Sequence, residues 1–146
     1  MKQDVDEDAL EFFSGLSGVL RIELTEPAQK TAPHMLNLAA PPTARITSVT
    51  LELSVDDRDL TAEEWSRVVI RAPRIRMRSV DTDEIVIDHD APDGATFTVR
   101  NLADAIAKTE RDSREHGEWL GGVDVHHIFF EGIELEDGVW TICWGS

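Results

Sequence analysis

The sequence predicts an α+β fold: a largely antiparallel sheet of six to eight strands, with one main helix over about residues 101–116 packed on it and a β-hairpin at the C-terminus. Three observations predict it. Short runs alternate apolar and polar residues, the period-two pattern of half-buried strands. Only the stretch after Asn101 sustains apolar residues at helical spacing over several turns. Finally, Asp137-Gly138 stands between two runs rich in β-branched and aromatic residues, a strong short-range hairpin signal. At 146 residues the chain is expected to form a single domain with one core.

Residues Asp4 to Phe13 predict a short acidic helix, with Asp4 as N-cap, Glu7 three residues on and Gly15 as the stop; the competing expectation for residues 1–14 is a frayed terminus. Gly18 to Leu24 alternates cleanly, with Leu20, Ile22 and Leu24 on one side. Four prolines in residues 26–44 mark a long connection. Ile46 to Val55 gives a second strand with Val49, Leu51, Leu53 and Val55 inward. A polar turn, Asp56 to Asp59, follows; it lacks the Gly and closing Glu of a calcium loop. Thr61-Ala62-Glu63-Glu64 is a capping box before Trp65, and a strand then runs through Val68-Val69-Ile70.

Between Arg67 and Arg78 there are five Arg and no acid; between Asp81 and Asp93 there are six acids and no base. A hairpin turning at Asp81-Thr82-Asp83 explains both runs. It sets Arg74 against Asp90, Arg76 against Asp88 and Arg78 against Val86, with Met77 facing Ile87 and Ser79 facing Ile85. This is favoured over an anion-binding Arg ladder, because exposed rows of opposite charge usually just pair. Ala95 to Val99 is a short strand. The main helix follows, capped by Thr98 or Asn101 and stopped by Gly117, with Leu102 and Ile106 buried. Its i,i+4 pairs, among them Glu110–Arg114, are expected on a solvated outer face.

A type I′ turn at Asp137-Gly138 pairs Glu136 with Val139, Leu135 with Trp140, Ile133 with Ile142 and Glu131 with Trp144. One face then carries His127, Phe129, Glu131, Ile133 and Leu135; the other carries Asp124, His126, Ile128, Phe130 and Cys143. Both faces hold apolar residues, so something is expected to cover each side.

Composition bounds the function. Forty-one per cent hydrophobic with 29% charged residues is ordinary for a soluble globular chain. The formal net charge of −15 argues against nucleic-acid and anionic-lipid binding, and favours a basic partner. One Cys cannot form an internal disulfide, and Cys143, mid-strand, reads as a buried inert thiol. With no basic leader and no membrane-length apolar run, the chain reads as cytoplasmic.

The residues best placed for chemistry are Asp124, His126, His127 and Glu131. A carboxylate beside an imidazole orients it and raises its basicity, as a general base needs. Adjacent strand residues point to opposite faces, so His126 and His127 are not expected to chelate together; His89 and His116 are the other histidines a metal set would need. No cofactor or metal signature is present. Trp119, in a Gly-flanked turn, is the tryptophan expected to line a binding groove. A small acidic cytoplasmic domain that binds a basic protein, of inhibitor or immunity type, is the favoured expectation. The alternative is a small hydrolase or isomerase using the Asp124/His126/His127/Glu131 cluster; a homo-oligomer subunit is a third class.

Overall fold

The computed structural model describes residues 4–24, 46–82, 84–114 and 125–145. Among these residues, ten strands and three α-helices form an α+β fold with two sheets. Seven of the strands build the main sheet, within the expected range. These are β2 (Ser17–Leu24), β3 (Ile46–Val55), β4 (Arg58–Asp59), β6 (Arg74–Ser79), β7 (Ile87–Asp90), β9 (Phe129–Glu136) and β10 (Val139–Gly145). Their order is β4-β3-β2-β9-β10-β6-β7. A second sheet, β1-β5-β8, joins β1 (Asp4–Val5), β5 (Val68–Arg71) and β8 (Thr96–Thr98).

The N-terminal helix α1 spans Glu7–Ser14 and is capped by Asp6, whose carboxylate accepts from the Ala9 amide at 3.1 Å. The cap is two residues later than the sequence suggests. Asp4 and Val5 instead pair antiparallel with Arg71 and Ile70, so their backbone is extended and unavailable to a helix. The short helix α2 (Ala62–Trp65) has the expected capping box: Glu64 N–H donates to Thr61 Oγ1 at 3.1 Å, and Thr61 N–H donates back to Glu64 Oε1 at 2.8 Å. The main helix α3 spans Val99–Arg114; residues 115–116 lie outside the described part. Thr98 is its cap, exchanging two hydrogen bonds with Asn101.

Helices α1 and α3 cover one face of the main sheet. Leu20, Leu51, Leu53, Ile75, Met77, Phe130, Ile133, Trp140, Ile142 and Trp144 face them, together with buried Phe13, Leu102 and Ile106. The other face is covered by no described element, against the expectation that both would be. It carries the exposed ion pairs Arg21–Glu52, Arg74–Asp90 and Arg76–Asp88 and the exposed pair Val19 and Phe129.

The β6–β7 hairpin has the expected register from Arg74↔Asp90 to Met77↔Ile87, and then stops. Arg78 and Ser79 do not pair with Val86 and Ile85. After Ser79 the chain enters a 3-10 turn at Val80–Thr82, where the Ile85 amide donates to the Thr82 carbonyl at 3.1 Å, so residues 84–86 do not run beside Arg78 and Ser79. On its other edge β6 pairs parallel with β10 over Met77 to Ser79, and Arg78 Nε donates to Thr141 Oγ1 at 3.0 Å. At the C-terminus the turn is the expected one, with φ +51° at Asp137 and +79° at Gly138. The register runs as foreseen to Ile133↔Ile142, but a β-bulge then sets Phe130, not Glu131, opposite Trp144.

Candidate functional site

The histidine cluster of the sequence is only partly assembled. Asp124 and Trp119 lie outside the described residues. His126 is exposed and His127 half-buried, in an irregular segment before β9 and not in a strand. Freed from strand alternation, the two imidazoles stand edge to face, with centroids 5.4 Å apart and planes at 83°. The expectation that they point to opposite faces is therefore corrected. Glu131 sits in the bulge, its carboxylate lying over Gly145, and among the described residues no hydrogen bond or ion pair joins it to either histidine. No group of three or more His, Cys, Asp and Glu among the described residues is placed to hold a metal ion. Cys143 is half-buried, and burial together with Glu134, Glu131 and Glu136 pushes its thiol pKa up, so it stays protonated and weakly nucleophilic.

The sequence reading misplaced one pair. Glu110 and Arg114 are not on a solvated face; they are 0% and 4% exposed and joined at 2.7 Å. Glu110 Oε1 also accepts from Ser79 Oγ at 3.1 Å. The Arg114 guanidinium lies over the Trp144 ring, 5.4 Å from its centroid, and donates to the His127 carbonyl at 2.6 Å. Burial raises the Glu110 pKa, opposed by Arg114, Trp144 and Ser79. Glu110 Oε2 and Trp144 Nε1 have no hydrogen-bond partner among the described residues. The signal was in the periodicity: stepping by four from Leu102 and Ile106 reaches Glu110 and then Arg114. The pair fastens the end of α3 to β10 and to the histidine segment. Enclosed as it is, it is built for holding and not for meeting a ligand.

His89 lies far from the other two, on β7, with β6 and β10 between it and β9. It is 7% exposed, and its Nε2 is 2.6 Å from Thr109 Oγ1 on α3. Burial, and then the Lys108 charge, lower its pKa and keep the ring neutral. A cleft of ≈ 350 Å³ opens beside it.

The larger cleft, ≈ 660 Å³, runs between β3 and the exposed shoulder of α3. Every residue from Val49 to Ser54 lines it. Side chains on a strand alternate between faces, so six consecutive residues can share a cleft only if it follows the strand's backbone edge. Trp65, Ala103 and Ala107 supply apolar wall, and the Arg100 guanidinium is stacked over Trp65 at 4.5 Å. The acids that line it are Glu52, Asp59 and Asp104, and Glu52 is held by Arg21 through two hydrogen bonds of 3.0 and 3.2 Å. This edge carries no motif, so nothing in the sequence beyond the strand itself marks it.

Comparison with known proteins returns nothing: no family model, no curated protein and no solved structure matches the chain. Among the described residues no helix is long and apolar enough to cross a membrane. Among the described residues, the features that stand out are exposed carboxylates and a cleft along the edge of β3.

Proposed function

We propose that this chain is a protein-binding module that engages a basic partner through its carboxylates, in the manner of an inhibitor or immunity-type protein. The observation that carries the reading is how the charges divide. Arg21, Arg58, Arg74, Arg76 and Arg114 are each committed to a carboxylate within the fold. Arg67 and Arg100 are stacked on Phe12 and Trp65. With 29 acids against 14 bases in the sequence, each internal pair takes one of each and leaves the net charge of −15 unchanged. The charge left for a partner is overwhelmingly negative, and such a surface steers a cationic protein toward it and sets a salt-dependent association rate.

The test is capture and identification of a partner, followed by association kinetics at rising salt. The association rate is expected to fall steeply as ionic strength rises, and the double reversal Asp59→Lys, Asp104→Lys to slow it roughly tenfold or more at low salt. Both positions are exposed, so the fold should survive. An identified partner whose binding ignores both salt and charge reversal would overturn the reading.

A further inference from the structure

We propose that the partner docks as an extended, cationic segment that adds a strand to the open edge of β3. This deepens the reading above and rests on it for the partner's charge. Three observations converge on the edge.

First, β4 pairs with β3 only at Ser54 and Val55, through Asp59 and Arg58. Residues 48–53 have a strand partner on one side, β2, and none among the described residues on the other, while Thr47 sits in a bulge against β2. Alternate N–H and C=O groups of that run therefore point outward, ready to pair with another chain. Second, the large cleft follows this edge from Val49 to Ser54, so an incoming backbone has room beside it. Third, among the described residues the edge has little of the usual protection. Natural edge strands are blunted by Lys, Pro, bulges or a covering element. Thr47-Ser48-Val49-Thr50-Leu51-Glu52-Leu53 has no Lys and no Pro, and its register with β2 is unbroken from Ser48 to Ser54, with a bulge only at Thr47.

The chemistry of the occupant follows. Seven residues of strand run about 23 Å, so the segment is a strand-length peptide in extended form. Main-chain hydrogen bonds supply affinity, and alternate side chains supply specificity. Apolar side chains suit the wall formed by Leu51, Leu53, Trp65 and Ala103. Lys or Arg suits the cleft's charge, since Asp59 and Asp104 outnumber Arg100, Glu52 being held by Arg21. The same charge opposes a second copy of this chain: edge-to-edge pairing would bring together two molecules of net −15.

The experiment uses the isotope-labelled full chain and a capped heptapeptide alternating Val with Arg or Lys, read by amide chemical shifts and hydrogen exchange. Binding is expected to shift residues 47–53 and to slow exchange at their outward amides by roughly tenfold or more at saturation. Methylating alternate backbone nitrogens of the peptide should abolish the effect, because an N-methyl group cannot donate to the edge. A version with Ser in place of Arg and Lys should bind more weakly. If the Ser version protects the same amides equally well, strand addition stands and the basic-partner reading falls. If the basic peptide shifts only residues elsewhere, strand addition falls and the basic-partner reading stands. Strand addition is also overturned by no shift at all, by outward amides of 48–53 already protected in the free monomer, or by protection that appears with a doubling of mass and no peptide.

Discussion

Phe130 lies directly opposite Trp144, their ring centroids 5.9 Å apart and their planes at 65°. Strict alternation from the hairpin turn would have put Glu131 there. Between the Ile133↔Ile142 and Phe130↔Trp144 pairs, β9 spends one residue more than β10, and Gly132 takes up the bulge at φ +100°. The extra residue turns Phe130 inward onto Phe13, 5.4 Å away, and turns Phe129 and Glu131 out.

Gly132→Ala is expected to destabilise the protein by about 1–3 kcal/mol, the range for a side chain forced into a sparsely allowed backbone region. The new Cβ would also stand 3.1 Å from Ser14 Cβ on α1, so the helix must shift to admit it. Urea unfolding measures the change. An unaltered midpoint would mean that the bulge is not where Phe130 acquires its direction.

At the turn, Gly138→Val should cost a similar amount, about 1–3 kcal/mol, for a purely local reason. A Cβ there meets nothing within 4 Å, so the penalty is backbone strain at φ +79° and not a clash. His126→Ala, at an exposed position, should change stability far less. Denaturation of the two variants side by side decides it; His126→Ala proving the more damaging would make that histidine a structural residue.

Arg114→Met should cost about 3–5 kcal/mol, because it strands a carboxylate in the core. Replacing both partners, Glu110→Leu with Arg114→Met, should recover most of the loss. The pH dependence has a definite sign. Glu110 has a folded pKa raised above its ordinary 4.5, so its stabilising contribution is complete below 4.5 and is lost as pH rises through the raised value. Without Arg114 the carboxylate is harder still to ionise. The defect should therefore be larger at pH 8 than at pH 5, and equal defects at both would contradict the assignment.

His89 gives the opposite slope. Its folded pKa lies below the ordinary 6.5, so stability is full above 6.5 and is lost as pH falls toward the lowered value. His89→Gln removes the titration, and the stability difference between wild type and variant should shrink in the variant's favour from pH 7 to pH 5. A difference that stays constant across that window would show that the imidazole is not held neutral by the fold.

The sequence by itself determined what short stretches can enforce. Asp137-Gly138 sets its turn because few residue pairs adopt positive φ twice in succession. The Thr61/Glu64 box starts α2 because both its bonds close within four residues. The Arg74–Asp90 and Arg76–Asp88 pairs follow from one hairpin register, in which charge and apolar pattern agree. Tertiary structure decided what depends on contacts between distant segments. The parallel pairing of β6 with β10 joins residues about sixty positions apart, and it places β6 in the interior of the main sheet. Glu110 and Arg114 look in sequence like any exposed i,i+4 pair. They are buried because Ser79, Trp144 and the His127 carbonyl converge on the last turns of α3. The same holds for the edge of β3, since a strand's sequence sets its faces but not which of its edges the other described elements leave unpaired. Local preference is a property of neighbouring residues; burial and strand order are properties of the packed chain, and they were settled only when the sheet closed around its core.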